Sequence, residues 1–313
     1  MLPILRTFQK LYKSMSSWYK VLLATCTLLI LVLIYNAHYV SVVREGFQQK
    51  ETFVTKSGTE VYDTFYATIY DDLTHDTFKN NYEIGEIIRA TKLPIKKASI
   101  LDIGSGTGHH CKLFATLGCK KVSGLDKSES MVALAKQKNP TIQFTHGDAL
   151  NAIIYQPNSF SLINCLYFTI YYIKDKRTFL QNCYTWLKPQ SYLAVHLVNR
   201  DKFDPILNVA DPLIMVSPQK YAKKRITNSI VKFKDFQYKA NFTLHKDENT
   251  AAFDETFKDD VTGNVRKNEH HFYMQTQKEI LGIAKEQGFI LKGRIDMVTC
   301  QYEYQYIYLL YKP

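Results

Sequence analysis

Residues 99–108, Ser-Ile-Leu-Asp-Ile-Gly-Ser-Gly-Thr-Gly, constrain what this chain can fold into more than any other stretch. Ile100, Leu101 and Ile103 form a short apolar run of the kind that builds a buried parallel strand. The run ends in Gly104, Gly106 and Gly108, and helical sequence follows from His109 to about Leu117. Glycines at a strand-to-helix turn let the backbone take positive φ and come close to a ligand. The helix behind them offers unpaired N–H donors at its N-terminus. Spacing separates this turn from two nucleotide motifs. A dinucleotide site wants G-x-G-x-x-G with pyrophosphate on the helix N-terminus. Here Asp102 precedes the first glycine, and its carboxylate would repel pyrophosphate while suiting a cationic ligand group. The G-K-[ST] of a phosphate loop is absent.

Two further acids end strand-like runs: Asp126 after Lys121-Val-Ser-Gly-Leu, and Asp148 after Ile142-Gln-Phe-Thr-His-Gly. Taken singly, each acid could cap a helix or shape a turn. Together they follow Asp102 at steps of 24 and 22 residues, which predicts repeated β-α units. In this order of motifs the chain resembles the class I methyltransferases that use S-adenosylmethionine (SAM), well over residues 60–200 and by layout over 275–313. The resemblance implies an α/β, Rossmann-like sheet, mostly parallel with an antiparallel last strand and helices on both faces. It implies SAM as cofactor, held at Asp102, Gly104, Ser105, Gly106, Thr107 and Gly108. Asp126 is then the acid for both ribose hydroxyls, since one carboxylate accepts two O–H groups. Met131 falls near the adenine, behind a helix N-cap at Ser128, and Asp148 and Ala149 fall near the adenine amino group. Residues 160–168 resemble the fourth strand, whose end lines the acceptor pocket, and Leu166 joins the implied cofactor contacts. Downstream, a helix is expected over 176–187, stopped by Lys188-Pro189, then a fifth strand over 192–198. Thr276 and Glu279 make a capping box for a helix that runs to Gly288, before a closing strand pair over 289–297 and 302–311.

On the acceptor side, Tyr62, Tyr66 and Tyr70 recur at helical spacing, either as a packing stripe or as a lid. Similarity to small-molecule N-methyltransferases acting on sugar amines and glycine implies the lid, with Tyr66, Tyr70 and Asp71 over SAM. Residues 200–274 read as an insertion of small antiparallel β structure: Phe236, Tyr238, Ala240, Phe242 and Leu244 alternate strictly, Phe253 and Phe257 suggest a second strand, and 271–273 a third. Asp254, Glu255, Arg266, His270 and His271 are positions there that face either substrate or solvent. Methyl transfer needs mainly an in-line approach in a dry pocket, although an oxygen or carbon acceptor usually wants a base. The candidates for a chemical role are His196, placed by topology at the end of the fifth strand, together with Tyr70 and His271. His196 reads first as a hydrogen-bonded core histidine and only second as a base. No metal-ligand spacing occurs among the six cysteines and the histidines, and the cysteines read as reduced and structural.

The organisation expected is a basic segment over 1–20, a transmembrane anchor over 21–40, a linker over 41–58 and the methyltransferase domain over 59–313. No charge occurs between Lys20 and Arg44, and Trp18, Tyr19, Tyr35 and Tyr39 bracket the apolar run, so a single-pass membrane protein is expected. Its domain would face a SAM-accessible side, cytosolic or matrix. The net charge of +11 is diffuse outside residues 1–56, which hold seven basic residues against two acids. That pattern gives no concentrated patch for nucleic acid. The reading is therefore a membrane-anchored enzyme methylating a small-molecule or lipid-like acceptor. RNA or protein methylation is the alternative enzyme class, and a non-catalytic SAM-fold scaffold is the non-enzymatic one. Against the former, the fourth strand ends in Asn164-Cys-Leu-Tyr rather than an Asn/Asp-Pro-Pro-aromatic motif.

Overall fold

The computed structural model describes residues 15–39, 51–205, 227–233 and 236–313. Helix α1 spans Ser17–Tyr39. After it come strand β1 (Phe53–Ser57) and helices α2 (Thr64–Thr74) and α3 (Thr77–Thr91). Strand β2 (Ser99–Ile103), helix α4 (His109–Thr116), strand β3 (Lys121–Asp126), helix α5 (Glu129–Lys138) and strand β4 (Gln143–His146) then alternate. Strand β5 (Phe160–Cys165) is followed by the short helix α6 (Thr169–Tyr172), helix α7 (Lys176–Trp186) and strand β6 (Leu187–Val198). Four strands follow: β7 (Asn228–Lys232), β8 (Phe236–His245), β9 (Thr250–Asp259) and β10 (Val265–Tyr273). Helix α8 (Gln277–Glu286) and strands β11 (Ile290–Asp296) and β12 (Gln305–Lys312) close the chain.

The main sheet has the order β11-β12-β6-β5-β2-β3-β4. Strands β4 to β6 and β2 and β3 pair in parallel, while β12 runs antiparallel to β6 and β11. Four of the five β2 residues are buried, as expected for a parallel strand covered on both faces. On one face, Phe179, Leu180, Cys183 and Trp186 of α7 pack with Ile280 and Ala284 of α8. On the other, Ile84 and Ile87 of α3, Phe114 of α4 and Val132 of α5 cover the sheet. Helices on both faces are what a central parallel strand requires to leave water entirely.

A second sheet, ordered β1-β10-β9-β8-β7, pairs antiparallel except for β1, which runs parallel to β10. Tyr238, Ala240 and Phe242 of β8 are buried, and their alternation with exposed neighbours gives the strand one wet face. Phe236 and Phe257 meet Phe65, Tyr66, Ile69 and Leu73 of α2 in a third apolar cluster. This cluster seats α2 on the second sheet. Both caps expected at helix starts are formed: the Ser128 hydroxyl accepts from Met131 N, and Thr276 and Glu279 make the reciprocal capping box.

Several expectations need correction. Residues 53–57 are not linker but a strand, registered on Val265–Glu269 of β10. The fifth strand begins at Leu187, and Pro189 with left-handed Gln190 (φ 61) forms an exposed irregularity within it. Tyr62 lies in a 3-10 turn before α2, not on the same helix as Tyr66 and Tyr70. The single-pass localisation is contradicted, and the transmembrane anchor over 21–40 and the membrane as a partner through it find no support. Among the described residues, no helix is long and apolar enough to cross a membrane. Absence of charge was a poor proxy for apolarity: Thr25, Thr27, Asn36 and His38 all interrupt the apolar sequence. Residues 1–14 of the basic segment, 40 of the anchor, 41–50 of the linker, and 206–226 and 234–235 of the insertion fall outside the described residues. Cys111, Cys119, Cys165, Cys183 and Cys300 are buried free thiols, as the spacing implied.

Candidate active site

The C-terminal ends of β2, β3 and β5 open into a cavity of about 630 Å³, bounded on its far side by α2 and β10. Gly104, Gly106 and Gly108 all have positive φ (70°, 52° and 88°). At Gly104 a Cβ would lie 2.3 Å from Thr169 Oγ1, so a side chain is excluded by both backbone and space. Packing this tight brings the bare turn against the start of α6. The amides of Gly104 and Ser105 donate to Leu125 O, tying the turn to β3.

Asp126 accepts from Gly106 N and Ser128 N, both at 2.8 Å. Burial raises its carboxyl above the usual range, and these two amides pull it back. Each oxygen keeps further lone pairs for a diol. Asp102 is 1% exposed, and its nearest partners are weak: the Cys111 thiol at 3.8 Å and His110 Nδ1 at 3.9 Å. Burial, opposed by His110 and reinforced by Glu83, pushes its carboxyl up to about 6. A buried acid this poorly partnered fits a cationic ligand group at the turn. The Ser105 hydroxyl beside it has no hydrogen-bond partner among the described residues. Met131, Ala149 and Leu166 are buried and line the same end with Leu125, giving an apolar slot for a flat heterocycle. Asp148 sits at its mouth, with one oxygen on Leu150 N (2.9 Å) and the other 2.7 Å from Lys127 Nζ. Two acids and an apolar slot at one end of the cavity are groups that could hold an ammonium, a diol and a flat heterocycle.

The lid side is anchored by Asp71, which lies 2.6 Å from Thr107 Oγ1, 2.5 Å from Lys138 Nζ and 2.8 Å from His109 Nε2. Burial alone would raise this carboxyl, but His109, Lys138 and Thr107 hold it well below the ordinary range. One side chain thus fastens α2 to the glycine turn, α4 and α5. Tyr66 and Tyr70 face the cavity, and Tyr62 joins them from the preceding turn with ring centroids 5.3 Å from Tyr66.

Of the candidate chemical groups, Tyr70 and His271 line the cavity, His271 as an exposed residue at its rim. His196 does not: it is fully buried behind Tyr167 and Phe168, whose ring centroids lie 6.4 and 6.3 Å away. Burial lowers it to about 4, partly opposed by Glu83. It is a neutral core imidazole. Arg266 also stays out of the cavity, donating to Asp63 Oδ2 (2.8 Å) and Val61 O (3.1 Å) and so clamping the start of α2 on β10. Asp254 is likewise absent from the lining, whereas His270 is part of it.

Sequence reasoning missed Lys79, His110 and Tyr172, which line the cavity, and Glu83 behind them. Lys79 and Glu83 on α3 are both buried and 3.2 Å apart, and His110 Nε2 lies 3.0 Å from the same Glu83 oxygen. Burial by itself would raise Glu83, but Lys79 and His110 hold it at about 2. Lysine and glutamate four apart on a helix read as a solvated pair, so no local signal marked them. Tyr172 gave none either, being one tyrosine among 22.

Residues 100–190 match the family model for a methyltransferase domain. Among curated proteins, a demethylmenaquinone methyltransferase of Renibacterium salmoninarum is 25% identical over 170 residues, covering 52% of this chain and 70% of that one. A dTDP-3-amino-3,6-dideoxy-alpha-D-glucopyranose N,N-dimethyltransferase of Streptomyces fradiae is 35% identical over 75 residues, covering 24% and 28%. In fold, the chain is similar to an S-adenosylmethionine-dependent methyltransferase from Clostridium acetobutylicum, with a TM-score of 0.61 at 17% identity over 79% of this chain and 97% of that one. Residues 100–190 are thus the core of a class I SAM-dependent methyltransferase domain, with S-adenosylmethionine as its cofactor.

Proposed function

We propose that the chain transfers a methyl group from SAM to a small organic acceptor bound at the aromatic end of the cavity. The observation that carries this reading is the continuity of one cavity, about 630 Å³, from the glycine turn and its acids to a wall of aromatic rings. That volume lies within the range of about 300–1,000 Å³ typical of small-ligand sites. In this reading Asp102 takes the ammonium of SAM, Asp126 the ribose diol, and Met131, Ala149, Leu166 and Asp148 the adenine. The Gly104–Gly108 turn lets the ligand approach the backbone. When bound, SAM supplies an electrophilic methyl group on a sulfonium. The protein's share is then to hold the acceptor in line and to keep water out. Phe168, Phe203, Phe242, Phe253 and Phe272 line the acceptor end and serve both tasks. The lid helix α2, fastened through Asp71, closes the cofactor end. The relatives' names point to two kinds of acceptor, a demethylmenaquinone and an amino sugar. The test is incubation of the full chain with methyl-labelled SAM and separate pools of hydroxylated aromatics, amines and amino sugars. Label transferred to a small molecule supports the reading; label transferred only to RNA or protein contradicts it.

A further inference from the structure

Where the second sheet meets the cavity, four side chains form a single chain of hydrogen bonds. Tyr62 Oη donates to Tyr172 Oη at 2.7 Å. Tyr172 Oη lies 2.8 Å from His270 Nδ1, and His270 Nε2 lies 2.7 Å from Glu255 Oε2. Glu255 is fully buried and also receives Tyr238 Oη at 2.7 Å and Asn268 Nδ2 at 3.3 Å. Burial alone would raise its carboxyl, but His270 and the hydroxyls of Tyr238 and Tyr66 bring it below the usual range. An ionised carboxylate only accepts, so a proton sits on His270 Nε2 toward Glu255, and in the neutral imidazole Nδ1 is then the acceptor for the Tyr172 hydroxyl. Every donation therefore runs inward toward Glu255, and the oxygens of Tyr62 and Tyr172 retain lone pairs where they line the cavity.

The charges around the cavity say which acceptor this suits. Among the described residues, the lining carboxylates are Asp102, Asp126 and Asp148, all at the cofactor end. The acceptor end is lined by neutral hydroxyls, aromatic rings and Lys174, with Glu255 set behind the lining. Among the described residues, an ammonium would meet no anion there. A flat, neutral molecule would meet Phe253, Phe272 and Phe168, and Phe272 stands edge-on to Tyr172 with centroids 4.8 Å apart. Resting on the reading of this cavity as a methyl-transfer site, we propose that Glu255 and His270, working through Tyr172 and Tyr62, remove the proton from a hydroxylated aromatic acceptor. The acceptor O–H bond breaks and its proton passes to the Tyr62 or Tyr172 oxygen. The hydroxyl proton of Tyr172 moves to His270 Nδ1, preceded along the chain by that of Tyr62 when Tyr62 is the entry point. The result is an imidazolium against the Glu255 carboxylate, and the electron pair left on the acceptor is available for methylation. Tyr62 and Tyr172 are the groups that touch acceptor; His270 and Glu255 are positioning and proton-holding residues behind them.

The titratable groups facing His270 are Glu255 from β9, Tyr172 from α6, and Tyr62 and Tyr66 from the lid side. Arg266, the nearest cation on its own strand, is turned to Asn268 and Asp63. The test uses the full chain with para-nitrophenol as a chromogenic acceptor mimic, S-adenosylhomocysteine filling the cofactor end, and SAM binding measured in parallel. Bound nitrophenol should ionise at lower pH than free nitrophenol, read directly by phenolate absorbance. His270→Gln and Tyr172→Phe should abolish that shift while SAM affinity stays within about twofold. With SAM, both variants should lose about 10²–10⁴-fold in turnover of hydroxylated aromatics, the span typical of general-base removal. Their pH profiles should then follow the acceptor's own ionisation. Tyr172→Phe deletes one oxygen and keeps the ring, so it answers the question if His270→Gln does not fold. An unshifted nitrophenol, no binding of hydroxylated aromatics, or methylation of hydroxylated aromatics undiminished in Tyr172→Phe overturns the proposal and leaves the methyltransferase reading intact. Failure of the wild-type chain to bind SAM sinks both.

Discussion

Asp102 makes a quantitative link between cofactor binding and pH. It is buried, lacks a strong hydrogen-bond donor, and its carboxyl is pushed up to about 6, chiefly by burial. Raised above the ordinary 3.8, it leaves the free domain most stable while protonated, and that contribution is lost as pH rises through about 6. The shift corresponds to about 3 kcal/mol carried by the ionised form at neutral pH. A bound ammonium reverses the preference, because the ionised acid then has a partner. SAM affinity should therefore fall below pH 6 as protons compete for Asp102. With a free-state value of about 6, going from pH 7 to pH 5 weakens binding about tenfold, or about 1.4 kcal/mol. Calorimetry across pH 5 to 8, in buffers of different ionisation enthalpy, reads both the affinity and the proton released. Asp102→Asn should bind weakly with a flattened pH profile, yet melt higher than wild type at pH 7 without ligand. A wild-type affinity that is flat between pH 5 and 7, or the same slope in Asp102→Asn, would refute the reasoning.

The glycine turn and the buried ion pair give further expectations. Gly104→Ala introduces a Cβ 2.3 Å from Thr169 Oγ1 at φ 70°, so destabilisation should exceed the ~1–2 kcal/mol of left-handed strain alone. Thermal melts should show partial recovery when Thr169→Gly is added, and no recovery would refute the steric account. Lys79→Met strands the fully buried Glu83, held at 3.2 Å by that lysine, and should cost about 3–5 kcal/mol by urea denaturation. Adding Glu83→Gln should return part of it; a neutral Lys79→Met would show that His110 alone satisfies the acid.

What was legible from residues alone was local or periodic. The 99–108 segment announces its strand and turn because each glycine answers a backbone demand at that spot. Ser128 and Thr276 announce helix starts for the same reason, through hydrogen bonds within three residues. Strand β8 could be read from strict alternation, since its two faces meet different solvents. What escaped depends on distant partners. Strand β1 exists because it pairs with β10, some two hundred residues on. The Lys79–Glu83 pair resembles any surface pair until α4 brings His110 against it. His196 was chosen by topology, but strand direction alone cannot say that Tyr167 and Phe168 stand between it and the cavity. His270 and Glu255 become a relay only because β9 and β10 place them side by side against Tyr172. The N-terminal helix failed for a different reason: uncharged residues were counted as apolar ones.

The central claim is that the acids and glycines at the ends of β2 and β3 hold SAM. Calorimetric titration of the full chain with SAM, beside an Asp126→Ala variant whose fold is verified by circular dichroism, tests it most directly. Asp126 accepts two turn amides at 2.8 Å and is assigned the ribose diol. Losing charged hydrogen bonds of about 1.5–3 kcal/mol should weaken binding by roughly 10- to 150-fold. Saturable one-to-one binding by the wild type and a loss of that size in the variant is the predicted result. A folded wild-type domain that does not bind SAM, or an Asp126→Ala variant that binds it equally well, would contradict the account.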